Sequence, residues 1–199
     1  ELVMPGQSCS GAQIYNSNGF GLAALLGGAG AQLDRADESP DGLPFRHVAD
    51  DREQLRCALL DAARASEVVI TSGGVSAGEA DHLPGLVREL GQVHFWKVRL
   101  RPGMPFLFGE IEGALLFCLP GNPVSSLVTF QSLVRPALRA LQGDRELHPR
   151  WLHARLVAPV RKKHQRTEML RGSLESGEDG TLNVRVSSRQ GSAMISGML

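Results

Sequence analysis

The chain has 199 residues, 42% of them hydrophobic, with 21 Lys+Arg set against 21 Asp+Glu. That length holds one full domain and a second small one, and the balanced charge gives no general attraction to nucleic acid or to an anionic membrane. Cys9, Cys57 and Cys118 stand far apart without CxxC or Cys/His spacing, which argues against a zinc knuckle or a disulfide framework and suits a reducing cytoplasm. No run approaches the roughly 20 apolar residues of a membrane helix, and no signal peptide opens the chain.

From Gln13 to Val134 strand-like and helix-like segments alternate, the pattern of an α/β domain. Gln13–Ser17 predicts a short strand. Asn18 can cap a helix carrying Leu22, Leu25 and Leu26 to the glycines at 27, 28 and 30. The polar stretch Asp34–Pro44, with two prolines, reads as a loop, after which Asp50 or Asp51 caps a helix bearing Leu55, Leu59, Ala62 and Ala63 on one face. Glu67-Val-Val-Ile-Thr71 is an apolar, β-branched run suited to a strand buried on both faces. It ends in Ser72-Gly73-Gly74-Val75-Ser76-Ala77-Gly78, a glycine-rich loop at the carboxyl end of a buried strand, where open α/β sheets bind ligands.

A helix is expected over His82–Leu90, with Pro84 in its first turn. Val93–Leu100 and Ala114–Leu119 predict two further strands, separated by the stiff loop Arg101-Pro-Gly-Met-Pro105. Pro120-Gly-Asn-Pro-Val124 then turns into a helix with Asn122 as N-cap and Pro123 in its first position. Leu127, Phe130, Val134, Leu138 and Leu141 form its buried face, Pro136 should kink it, and Gly143 ends it. Beyond Gly143 the character turns β-like: Trp151–Val160, Thr167–Glu175 and Thr181–Ser187, with turn signals at Ser176-Gly177 and Asp179-Gly180. The expected division is therefore an α/β domain over residues 1–143 and a small all-β domain over 144–199. The opening Glu1 and the stretch Met194–Leu199, which lacks a terminating signal, are expected to be cut ends of a longer protein.

Three loops, 72–78, 101–105 and 120–125, are expected to converge at the carboxyl edge of the sheet. The first offers backbone N–H groups unobstructed by side chains; the last offers a helix N-terminus at Val124 and Ser125, plus the hydroxyls of Ser125 and Ser126. Lys97, Arg99 and Arg101 alternate on the predicted strand and so share one face. Two anion-friendly loops beside three positive charges suit a phosphorylated or oxyanion ligand. Each feature also has an ordinary structural role. Ser72-Gly73-Gly74 is a common turn, Asp50, Asp51 and Asp81 can be helix caps, and three alternating basic residues can be a solvated strand face. Cys118 reads as core, and none of the six scattered histidines is assigned a metal.

The combination is more specific than its parts. Gln13-Ile-Tyr-Asn-Ser-Asn18, Thr71-Ser-Gly-Gly-Val-Ser-Ala-Gly-Glu-Ala-Asp81, Phe95-Trp-Lys-Val-Arg-Leu-Arg-Pro-Gly-Met-Pro105 and Leu119-Pro-Gly-Asn-Pro-Val-Ser125 occur in this order. Together they resemble the MoeA/gephyrin E-domain family, the molybdopterin molybdenumtransferases, over almost the whole chain.

The resemblance implies a MogA-like, largely parallel sheet with helices on both faces, followed by an incomplete β-domain. It implies that Ser72, Gly73, Gly74, Ser76 and Gly78 hold the pterin and nucleotide phosphates. Asp50, Asp81 and Glu1 match acidic positions linked to activity, the first two through Mg²⁺ or the attacking water. Lys97 and Arg101 match basic residues that receive molybdate or phosphate, and Pro120, Gly121, Asn122, Pro123 and Ser125 match the turn that closes the site. The implied substrates are adenylylated molybdopterin and molybdate, and the implied partner is a second copy in a homodimer, with no role for nucleic acid or membrane. At Met104 many bacterial relatives carry a lysine, so one oxyanion contact differs here. The two rival readings are a MogA-like adenylyltransferase, which would form the adenylylated pterin, and a gephyrin-like dimeric scaffold.

Overall fold

A computed structural model describes residues 2–33, 43–76 and 81–193. The elements in chain order are β1 (Leu2–Val3), β2 (Ile14–Tyr15), α1 (Asn18–Gly28), α2 (Arg52–Ala65), β3 (Val68–Ser72), α3 (Leu83–Leu90), β4 (Gly91–Trp96), β5 (Leu100–Arg101), β6 (Leu107–Ile111) and β7 (Ala114–Leu119). There follow α4 (Pro123–Thr129), a π-helical turn (Phe130–Val134), α5 (Arg135–Leu141), β8 (Arg155–Leu156), β9 (Thr167–Glu168), β10 (Gly172–Ser176) and β11 (Leu182–Val186).

A four-stranded sheet in the order β3-β7-β6-β4 forms the middle layer. Successive side chains of a strand point to opposite faces, and β7 uses both. Ala114, Leu116 and Cys118 pack with Leu59 and Ala63 of α2 and with Leu83, Leu86 and Val87 of α3. Leu115, Phe117 and Leu119 pack on the other side with Leu22 of α1, Phe130 and Val134 of the π-helical turn, and Leu138 of α5. The α/β class and the helices on both faces are thus as expected. Within the four-stranded sheet only β3–β7 is parallel, β6 pairing antiparallel with both β7 and β4; the other parallel pairs, β1–β2, β5–β9 and β8–β11, lie outside it.

Strand β6 lay hidden in what the sequence presents as the approach to β7. Its hairpin with β7 closes at Ile111↔Ala114, and the two turn residues, Glu112 and Gly113, both take positive φ (52° and 84°), the geometry of a tight hairpin turn. The expected strand Val93–Leu100 is corrected. β4 ends at Trp96, and Lys97 adopts φ 68°, held there as its N–H donates to the Phe106 carbonyl (2.8 Å). Lys97, Arg99 and Arg101 therefore do not share a strand face: Arg101 belongs to β5, which pairs in parallel with β9, placing Arg101 opposite Glu168.

Pro136, expected to kink its helix, stands in the first turn of α5. The chain relaxes into the π-helical turn just before it, since Pro136 can neither donate to the preceding turn nor fit under it. Leu141, expected on the buried face, is 57% exposed. Past Gly143 the β-like stretches resolve into shorter strands. Trp151–Val160 contributes only β8, Thr167–Glu175 divides into β9 and β10, and β10-β11-β8 make a three-stranded sheet.

Candidate functional site

Two of the three expected loops meet directly. The chain leaving β3 touches the turn after β7, where the Gly73 N–H donates to the Leu119 carbonyl (3.0 Å) and the Ser72 hydroxyl donates to the Pro120 carbonyl (3.4 Å). Gly73 and Gly74 both hold positive φ (96° and 65°), a conformation that disfavours any side chain. Asn18 ties the two loops together, its Nδ2 donating to Ser72 Oγ and to the Gly121 carbonyl, each at 2.8 Å. The cap that the sequence suggested at Asn18 lies elsewhere: Ser17 is the N-cap without a side-chain bond, and the buried Asn16 accepts from the Gly19 N–H (3.0 Å). Asn18 is instead the first helical residue, aimed across the sheet edge. In sequence it carries only a helix-start signal, so its loop-bridging role needed the fold.

The third loop, 101–105, lies against a second space nearby. A cavity of about 370 Å³ is bounded by this loop, by Ser125, and by Arg166, Glu168 and the 190–192 segment from the β region. Gly103 (φ 116°) permits the close approach, for a Cβ there would stand 2.5 Å from Thr129 Cγ2 on α4. Arg101 reaches Glu168 Oε1 with its Nε at 3.5 Å, and His164 Nε2 lies 3.3 Å from the same oxygen. Met104 brings no charge, but Arg166 Nη1 donates to its sulfur (3.7 Å), so a second guanidinium enters the wall at the position where the sequence shows a lost cation. Arg166 and Glu168 lie outside the motifs that the sequence shows; the β5–β9 register that brings them here joins distant parts of the chain.

The turn after β7 connects the two spaces, with a correction. Asn122 occupies the N-cap position of α4 but makes no side-chain cap bond; its Nδ2 donates to Ser192 Oγ (3.1 Å). The Val124 N–H, expected to face a ligand, donates to the Ser192 carbonyl (3.0 Å), so the first turn of α4 is capped by the β region. Pro120 and Ser125 are buried, Pro123 is half-buried, and Gly121 and Asn122 are exposed. Gln190 holds the 187–192 segment in place, accepting from the Arg171 N–H and donating to the Arg171 and Ser187 carbonyls.

Lys97 approaches the glycine-rich loop by another route. Its Nζ lies 4.6 Å from the centre of the Trp96 ring, whose Nε1 donates to the Val75 carbonyl (3.1 Å). Ser76 is exposed at the end of the loop, while Gly78 and Glu1 lie outside the described residues. Of the two acids offered as caps for α2, Asp51 takes the role, accepting from the Gln54 N–H (2.9 Å), which leaves Asp50 exposed and without that duty. Asp81 is half-buried just ahead of α3. Among the described residues no group of three or more His, Cys, Asp or Glu side chains is gathered to hold a metal ion. Cys118 sits in the core, where burial pushes its thiol up to about 12.

With this geometry in view, residues 1–140 match the family described as a probable molybdopterin binding domain, and residues 153–199 match the MoeA C-terminal region (domain IV). The chain belongs to the MoeA/gephyrin family. It is 36% identical over 197 residues to the molybdopterin molybdenumtransferase of Haemophilus influenzae, an alignment covering 98% of this chain and 46% of that protein. It is 38% identical over 153 residues to molybdopterin molybdenumtransferase 2 of Mycobacterium tuberculosis, covering 72% and 35% of the two chains. Among solved structures, the molybdopterin biosynthesis MoeA protein of Pyrococcus horikoshii superposes with a TM-score of 0.71 at 30% identity, over 100% of this chain and 45% of that one. The chain thus spans less than half the length of these family members. No described helix is long and apolar enough to cross a membrane.

Proposed function

We propose that this MoeA/gephyrin-family chain carries the pterin- and molybdate-binding portion of a molybdopterin molybdenumtransferase, which inserts molybdate into adenylylated molybdopterin and releases AMP. The observation that carries the reading is the pair of adjoining spaces at one sheet edge, the glycine-rich loop bound to the β7 turn and the arginine-lined cavity beside it, in a chain of this family. The match of residues 153–199 to the MoeA C-terminal region favours the insertase over a stand-alone adenylyltransferase.

Ser72, Gly73 and Gly74 would seat the phosphates of the adenylylated pterin, since glycine lets backbone approach phosphate closely. Arg101 and Arg166 would draw molybdate into the 370 Å³ cavity, with the buried Ser125 hydroxyl as a further partner for an oxyanion. Lys97 stands on the glycine-loop side and would neutralise phosphate. Pro120, Gly121, Asn122 and Pro123 would form the turn that closes the site. Insertion requires the two dithiolene sulfurs to give up their protons and bond molybdenum as an oxo group takes up two protons and leaves as water, and a water to attack the phosphoanhydride phosphorus so that the P–O bond breaks and AMP departs.

Asp50 and Asp81 would supply hard oxygen donors, and among the described residues no group of three or more His, Cys, Asp or Glu side chains forms a closed cage. That set suits Mg²⁺ completed by phosphate oxygens and water rather than a closed protein cage. When bound, Mg²⁺ would neutralise charge developing on the phosphate. Glu1 is proposed as a further acid of the site. The working protein is proposed to be a cytoplasmic homodimer.

Isothermal titration with AMP plus Mg²⁺, and with adenylylated molybdopterin, tests the reading beside Asp81→Ala. Binding that weakens in the variant supports it. A folded chain that binds neither ligand overturns it in favour of a scaffold related to gephyrin, a protein of Dictyostelium discoideum that is 35% identical over 150 residues, covering 64% of this chain and 21% of that one.

A further inference from the structure

Beside the glycine-rich loop, Trp96 and Arg88 gather around Lys97. Trp96 closes β4, and its ring faces two cations from different elements: Lys97 Nζ at 4.6 Å, and Arg88 Cζ, from α3, at 5.2 Å. The neighbouring acid, Glu89, is engaged by Arg52 and Arg56. Among the described residues neither Arg88 nor Lys97 forms an ion pair with a carboxylate. Two cations drawn to one ring repel each other, and such a pair is favoured where an anion comes to lie between or beside them. The ring does not float: Trp96 Nε1 donates to the Val75 carbonyl, fastening the platform to the glycine-rich loop. The backbone adds its own constraint, because Lys97 is held at φ 68° by its bond to Phe106 while Val98 N–H donates to the Met104 carbonyl (2.9 Å). A residue without glycine's freedom is kept in this conformation by its surroundings, which fixes the direction in which the lysine leaves the strand.

We propose that Arg88, Trp96 and Lys97 form one anion-recruiting unit, in which Trp96 is the positioning residue that sets both charges beside the glycine-rich loop and Arg88 is a second anion contact. The ligand class is a nucleoside phosphate or pyrophosphate ester. The inference rests on the phosphate-binding reading of the 72–76 loop and adds two residues to it.

The test uses the 199-residue chain, with AMP as probe and adenosine as a control lacking the phosphate. Arg88→Ala, an exposed change that leaves the core untouched, is expected to weaken AMP about two- to five-fold, the scale of one exposed cation contact, and to leave adenosine unchanged. Trp96→Leu is expected to weaken AMP about five- to ten-fold as both cations lose their platform. In an Arg88→Ala/Lys97→Met background, Trp96→Leu should cost no further affinity, because the residue acts through the two cations; a purely structural role would give the same loss in both backgrounds. Trp96→Phe keeps a ring and should stay within about two-fold of the parent. A ligand-free readout accompanies these: the side-chain ε-methylene protons of Lys97 should be shifted upfield by the indole ring current and return to ordinary values in Trp96→Leu. AMP binding unchanged in Arg88→Ala, equal losses for AMP and adenosine, or a Lys97 signal without ring-current shift would each overturn the unit. A parent chain that binds no AMP yet shows the shifted Lys97 signal would remove the nucleotide reading and leave the positioning by Trp96 standing.

Discussion

The α/β body and the β region after Gly143 hold themselves together by different means. Every buried hydrophobic side chain among the described residues lies from Leu22 to Leu138, and all but Leu100 and Val124 fall into clusters on the two faces of one sheet. Strand β10 is exposed along its whole length, and Trp151, Leu152 and Leu174 face outward. The β region is attached through main-chain register at β5–β9, through the Arg101–Glu168 ion pair and through Ser192 against α4. One wall of the site is thus fixed from inside by packing, while the other is assembled from polar contacts at a surface. The glycine-rich wall should answer to core mutations; the arginine-lined wall should answer to salt.

The sharpest break between the regions comes from paired truncations. Leu116→Ala, in the centre of the sheet at 1% exposure, should cost about 2–5 kcal/mol, whereas Leu174→Ala in β10 should stay within about 0.5 kcal/mol. Urea unfolding followed by circular dichroism measures both. Similar costs at the two positions would mean that the β region is more deeply packed than its exposure shows.

A second consequence of the packed body concerns Cys118. Its thiol is raised from 9.0 to about 12 because burial penalises the thiolate, with the Thr71 hydroxyl working weakly against this. A raised acid adds stability that is fully present below the unfolded value and is lost as pH climbs between 9.0 and about 12. The slope should approach about 1.4 kcal/mol per pH unit in that window and vanish in Cys118→Ala, whatever the cavity costs at neutral pH. In the native state Cys9 and Cys57, both exposed, should react with a thiol reagent while Cys118 stays silent until unfolding.

Asn18→Ala tests the seam between the loops. It removes two hydrogen bonds, to Ser72 and to Gly121, and should cost about 1–2 kcal/mol and weaken AMP binding. Loss of stability with unchanged AMP affinity would show that the seam supports the fold and not the site.

These cases mark how far the sequence could be read. Strands β3 and β7 announced themselves as apolar runs; β7 is buried nearly throughout, whereas β3, at the edge of the sheet, buries only Val69. Helix α1 was bounded by a polar start and trailing glycines. Strand β6 was missed because Glu112-Gly113 is a weak turn signal beside Asn-Gly or Asp-Gly. The alternation of Lys97, Arg99 and Arg101 misled because nothing in a lysine foretells φ 68°; that conformation follows from hydrogen bonds to Phe106 and Met104 across the loop. The motifs pointed to the glycine-rich loop after β3, which meets the β7 turn through the Gly73–Leu119 hydrogen bond. The arginine-lined wall depends on pairing β5 with β9, and no local pattern at Arg101 points to Glu168.

The smallest effect belongs to the hairpin between β10 and β11, the part of the β region where local chemistry alone decides the structure. Asp179 Oδ1 accepts from both the backbone N–H of Thr181 (3.1 Å) and its hydroxyl (2.6 Å), while the Gly177 N–H closes the turn on the Thr181 carbonyl (2.8 Å). Those two donors favour the carboxylate and hold the Asp179 carboxyl below its ordinary value of 3.8. A depressed acid stabilises the fold above its unfolded value and ceases to do so as pH falls through the lower folded one, so the contribution is present at neutral pH and fades below 3.8. Full exposure keeps it small. Asp179→Asn should therefore leave the melting temperature of the α/β body unmoved and raise amide exchange only in the 177–181 turn. If the same substitution loosened the 190–192 segment, the β region would be a cooperative layer in its own right, and the contrast with the packed body would have to be redrawn.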